Sequence, residues 1–192
     1  MKTAIQLILL TLVSIAFKAE KSIIIDKEEA QKAFVILQDI RKYPNKYFQQ
    51  LHFDKDLKTS TAQLQWNDTL AKVAEAKAFD MANKNYYGHV DPDGFGINHF
   101  ISKAGYKLNP KWTQTKADNY FESLTANITT GEEAIRYLVK DSITPSLGHR
   151  KHLLGLDSWN STLTDVGIGF ARKDSGSMYK TYICVIIAKH NW

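Results

Sequence analysis

Apolar and polar positions alternate along the chain with two distinct periods. From Asp26, the residues Ala30, Ala33, Phe34, Leu37 and Ile40 recur at three- and four-residue steps, the signature of a helix with one buried stripe. Pro44 predicts its end, because proline lacks an N–H and disfavours helix at Tyr43 before it. Asn67 is a good helix cap, and Leu70, Val73, Ala74, Ala78, Met81 and Ala82 form the inner face of a second helix running out near Asn85. The segment Gly88–Gly94 is dense in turn residues, and a short helix from about Phe95 to Ala104 should stop at Gly105. Thr130-Gly131-Glu132-Glu133 matches a capping box opening a helix with Ile135, Leu138 and Val139 inside, which Pro145 is expected to end.

Near the end the period changes to two. Val166-Gly167-Ile168-Gly169-Phe170 alternates as a strand, Lys173–Ser177 supplies a turn, and Tyr182–Ala188 returns as a strand apolar on both faces. A strand of that kind is covered on both sides. The expected fold class is therefore α+β, an α/β/α sandwich whose central sheet is largely antiparallel and flanked by helices.

Composition adds the compartment. Lys2 followed by the apolar run Ala4–Phe17 reads as a signal peptide over residues 1–19, with cleavage after Ala16 or Ala19, since the run is too short to span a bilayer comfortably. Secretion to the periplasm or beyond is the expectation, with no integral membrane segment in the mature chain. The single cysteine, Cys184, excludes an intramolecular disulfide and thiolate-rich zinc folds, and its place within an apolar strand predicts a buried, inert thiol. Lys+Arg 25 against Asp+Glu 20 gives a net charge of +5, spread in alternating sign, which argues against nucleic acid as a partner. No surplus apolar stripe stands out, so the chain is expected to be a monomer.

No metalloprotease helix, Walker loop or nucleophile elbow occurs. Asp91-Pro92-Asp93-Gly94 fails as a calcium loop because its glycine comes too early and Ser102 stands where a bidentate Glu belongs. Six histidines remain. His149 and His152 lie three apart, near enough on a helix to share an ion, yet two cations between them favour a solvated surface pair. His52 and His190 have no partner nearby in sequence and are expected to be solvated.

Seven short segments, in order, carry a resemblance. They are Ile40-Arg41-Lys42-Tyr43-Pro44; Leu64-Gln65-Trp66-Asn67; Gly88-His89-Val90-Asp91-Pro92-Asp93-Gly94; Ala104-Gly105-Tyr106; Phe121-Glu122-Ser123-Leu124; Asp141 through Pro145-Ser146-Leu147-Gly148-His149-Arg150; and Val166–Phe170. Together they resemble the CAP superfamily, also called the SCP domain, which includes cysteine-rich secretory proteins, antigen 5 and plant pathogenesis-related proteins. The likeness is to its short, cysteine-poor bacterial form, with the domain over residues 28–190.

The resemblance implies an α/β/α sandwich and a central cavity lined by His89, Glu122, Asp141 and His149. Asp141 is shorter than the Glu of animal members, and Phe121 and Ser123 replace the Gly and Asn that usually flank Glu122. Two neutral imidazoles with a carboxylate suit zinc, so His89 and His149, with Glu122, are the candidate metal ligands. The implied function is a secreted binding module for a small hydrophobic ligand, a sterol or fatty acid, or for a protein partner. The alternative is a divalent-metal-dependent hydrolase or peptidase using the same cavity. With no nucleophile motif present, the binding reading stands ahead of the enzymatic one.

Overall fold

The computed structural model describes residues 22–192, so the expected signal peptide lies outside the described residues. Two long strands form the spine: β4 (Asp165–Lys173) and β5 (Thr181–Ala188) pair antiparallel, with Gly167 opposite Ile186 and Gly169 opposite Cys184. β3 (Glu122–Ala126) adds antiparallel to the free edge of β5. The other edge of β4 takes two short strands at its opposite ends, β1 (Ile23–Ile25) antiparallel and β2 (Gln65–Trp66) parallel. Every residue of β5 is buried, as a strand apolar on both faces requires.

Helices cover both faces. α3 (Asp68–Lys84) lies on β4 and β5, while α1 (Lys27–Lys42) and α5 (Gly131–Lys140) pack on each other and on the opposite face. α6 (Gly148–Leu154) sits against α5, α4 (Ile97–Lys103) against α3, and the single-turn α2 (Phe48–Leu51) beside α5. The fold is α+β, with a largely antiparallel central sheet between helical layers.

The helix starts follow from their caps. Asp26 Oδ1 accepts the Glu29 N–H at 3.1 Å, and Asn67 Oδ1 accepts that of Leu70 at 3.1 Å. At α5 half of the capping box forms: Thr130 Oγ1 accepts the Glu133 N–H at 3.2 Å, but the Glu133 carboxylate takes the Thr130 hydroxyl at 3.0 Å. α5 ends at Lys140, short of Pro145, because Asp141 takes a left-handed φ of 46° and donates its N–H back to the Tyr137 carbonyl.

One buried carboxylate ties the two helices of that layer. Glu29 Oε2 accepts the Gly131 N–H at 2.6 Å, filling a donor that the first turn of α5 leaves free. Glu29→Ala is expected to cost about 2 kcal/mol, since it orphans that buried amide. Urea denaturation checks this; an unchanged midpoint would show the contact to be dispensable.

Candidate functional site

The loop after α3 carries His89, and β3 opens with Glu122, whose side chain is fully buried. Glu122 Oε2 meets His89 Nδ1 at 2.8 Å. The other oxygen, Oε1, accepts the weak Cys184 S–H at 3.5 Å. Burial, with Glu122 beside it, pushes the Cys184 thiol well above its usual value, so it is inert, as its place in an apolar strand implied. Next to this pair Tyr87 donates its hydroxyl to the Leu124 carbonyl at 3.0 Å. Burial raises its pKa to about 12, helped by Tyr137, Tyr179 and Glu122.

A second pair is built where α5 turns into α6. Asp141 Oδ1 meets His149 Nδ1 at 2.8 Å, while Oδ2 accepts the backbone N–H groups of His149 at 3.0 Å and Arg150 at 3.3 Å. One carboxylate thus caps α6 and orients the imidazole. Burial alone would raise the Asp141 carboxyl; the hydrogen bonds from His149 and Thr144, the electrostatic pull of the His149 ring and the Arg150 N–H outweigh it and hold the pKa below the usual value. Arg150 locks the turn by donating Nε to the Val139 carbonyl at 2.7 Å.

The two pairs share one logic. Each carboxylate is buried, with 0% and 1% of its side chain exposed, and each imidazole is partly exposed, at 45% for His89 and 25% for His149. A carboxylate at Nδ1 makes that nitrogen the donor and leaves Nε2 of the neutral ring an acceptor. Among the described residues neither Nε2 has a protein partner, and no three His, Cys, Asp or Glu side chains converge closely enough to hold a metal ion. The four residues therefore stand as two pairs, with both carboxylates already spent on their imidazoles.

His152 departs from the expected surface pair. It is buried, its Nδ1 lies 2.7 Å from Ser123 Oγ, and its Nε2 lies 3.4 Å from the Ile187 carbonyl, which fixes the proton on Nε2. Burial, with the Arg41 guanidinium and the His149 and His89 rings nearby, pushes its pKa down to about 4. A Ser–His contact can open a nucleophilic site, but Ser123 is 1% exposed and unreachable. The pair is structural. The only local signal for it was the flanking Leu153-Leu154, both fully buried. His190 also has a partner after all: its Nδ1 contacts Asp165 Oδ2 at 2.5 Å, the oxygen that takes the Tyr106 hydroxyl at 2.6 Å.

The CAP (cysteine-rich secretory protein family) profile matches residues 40–187, a span holding the whole of both pairs, all of β2, β3 and β4, and all but the last residue of β5. The chain belongs to the CAP family. Its CAP domain is similar to the uncharacterized protein YkwD of Bacillus subtilis, 29% identical over 116 residues, which cover 60% of this chain and 37% of that protein. Among solved structures it resembles an extracellular protein containing a SCP domain from Bacillus anthracis, at a TM-score of 0.54 and 22% identity over 85% of this chain and 41% of that one. It also resembles an outer surface protein from Borrelia burgdorferi, at a TM-score of 0.56 and 16% identity over 88% and 99% of the two chains. The chain thus spans about two fifths of the length of the Bacillus relatives, and the structural likenesses establish the fold.

Within this CAP domain the departures around Glu122 have a visible consequence. Successive strand residues point to opposite faces, so Glu122 reaches His89 while Ser123 turns the other way to His152. Phe121 is fully buried and packs edge-on against Trp112 at 5.5 Å. The local turn is held by apolar packing where the family pattern has a glycine.

Proposed function

We propose that this is a secreted CAP-domain binding protein that takes a small hydrophobic ligand bearing a hydroxyl group, of sterol type, at the His89–Glu122 and Asp141–His149 pairs. The supporting observation is the two partly exposed imidazoles, each with Nδ1 held by a buried carboxylate, which leaves Nε2 of the neutral ring to accept. A hydroxyl donates to such a nitrogen; an anionic head would face two buried negative charges instead. Exposed Tyr87, Val90 and Ile143, adjacent in sequence to these residues, offer apolar surface for the ligand body. Secretion is supported by the apolar run Ala4–Phe17 and by relatives described as extracellular and outer-surface proteins.

A fluorescent sterol titrated into the mature protein tests this reading. Saturable binding should weaken by about tenfold or more in the His89→Ala/His149→Ala variant, the loss of a hydrogen bond to a buried-carboxylate dyad. Equal affinities in parent and variant would overturn the proposal.

One observation favours a second reading, a divalent-cation-dependent hydrolase. A carboxylate on Nδ1 is how metal-ligating histidines are commonly oriented. The ligands would then be the two Nε2 atoms, with Glu122 and Asp141 as orienting groups, and the cation would polarise a substrate carbonyl. Zinc calorimetry separates the two: saturable heat with the parent alone supports the cation reading, and equal heats with the double variant remove it.

A further inference from the structure

On α3, Lys77 carries its charge into the protein. The residue is 4% exposed, and its ammonium donates to the His89 carbonyl at 3.2 Å and to the Tyr86 hydroxyl at 3.2 Å. An ammonium has three protons to give. Among the described residues no carboxylate oxygen lies within 4.0 Å of it, so the third has no anionic partner. Burying a cation without an anion is costly, which makes an unmatched, buried lysine an unusual thing to keep.

Beside it opens a cavity of about 400 Å³ between α3 and α4, walled on its apolar side by Val73, Ala76, Phe100 and Ala104. That volume is in the range of small-molecule sites. The remaining charge in the wall is unbalanced: four lysines, 72, 77, 84 and 103, face two aspartates, 80 and 91. Both aspartates are occupied. Asp80 takes the Lys84 ammonium at 3.0 Å and the Tyr86 hydroxyl at 2.9 Å, and Asp91 takes the Phe95 N–H at 2.7 Å. Neither Lys72 nor Lys103 has a carboxylate within ion-pairing distance among the described residues, so the positive excess sits around the cavity.

We propose that this cavity binds a small aromatic carboxylate, with Lys77 holding the carboxylate and Phe100 and Val73 packing the ring. The site lies apart from the two histidine pairs, none of whose four residues lines it. The two regions meet at one bond, from Lys77 to the His89 carbonyl. A carboxylate that draws the ammonium toward itself loosens that bond, so occupancy should be felt at the His89 ring.

Three probes of one shape and different heads test it: 3-phenylpropanoate, 3-phenylpropanol and 3-phenylpropylamine, titrated into the mature chain by calorimetry and followed by amide and imidazole NMR. The carboxylate should saturate, shifting the Phe100 and Ala104 amides and the His89 ring. The alcohol should bind at least about tenfold more weakly, the worth of a charge-assisted hydrogen bond, and the amine should not bind. Lys77→Met should weaken the carboxylate by a similar factor. An alcohol that binds as well as the carboxylate, or a parent that never saturates with the carboxylate, overturns the proposal. Should Lys77→Met not fold, the comparison of the three heads on the parent decides by itself.

Discussion

Gly169→Ala is expected to lower stability by about 3 kcal/mol. An added Cβ there would lie 2.2 Å from the Ala74 carbonyl carbon and 2.3 Å from its oxygen; at Gly167 it would lie 2.2 Å from the Ala71 nitrogen. These are backbone atoms of α3, which no rotamer change can move aside. The helix would have to lift from the sheet, and with it the fully buried Leu70, Ala74, Ala78 and Met81. Gly105→Ala is the matched control. Its φ is 87°, but no atom lies within 4 Å of the added carbon, so only backbone strain of about 1 kcal/mol applies. Urea denaturation of both variants separates clash from strain. A Gly169→Ala midpoint matching that of Gly105→Ala would mean that α3 does not pack as closely on β4 as described.

The glycines show where sequence reading stops. Val166–Phe170 alternates clearly enough to predict a strand, and the doubly apolar Tyr182–Ala188 predicts cover on both faces; both are found. Why the small residues fall at 167 and 169 depends on α3, nearly a hundred residues earlier, and no local pattern carries that. β3 was hidden for a related reason. Its first two residues, Glu122 and Ser123, are polar yet buried, satisfied by His89 and His152 from distant segments, so the period-two signal of a half-buried strand is lost. Asp141 came from its motif; what no local pattern shows is that it ends α5 and caps the next helix. His89 and His149 came from their motifs and not from periodicity. The structure adds what motifs cannot supply, namely which oxygen holds which nitrogen.

Acid is expected to destabilise the protein well before its carboxylates titrate, and His152 is the reason. In the unfolded chain this imidazole takes a proton as pH falls through about 6.5; in the folded chain burial withholds it until about 4. Between those values the unfolded state binds more protons than the folded one. The neutral His152 therefore leaves stability whole above pH 6.5 and removes it progressively down to pH 4, by about 3 kcal/mol in total. Asp26, Asp118, Asp141 and Asp157 have lowered pKa values and ordinary values of 3.8, so their contribution falls away only below that window. Glu29, lowered from 4.5, begins only at its lower edge. His152→Asn removes the titrating group while its amide can still accept the Ser123 hydroxyl. It should start lower in stability at pH 7.5 and stay nearly level down to pH 4.5, where the parent falls steeply. Urea midpoints at half-unit steps read this directly. A parent as level as the variant would mean that His152 is protonated inside the fold, which its burial and the positive Arg41 beside it both oppose.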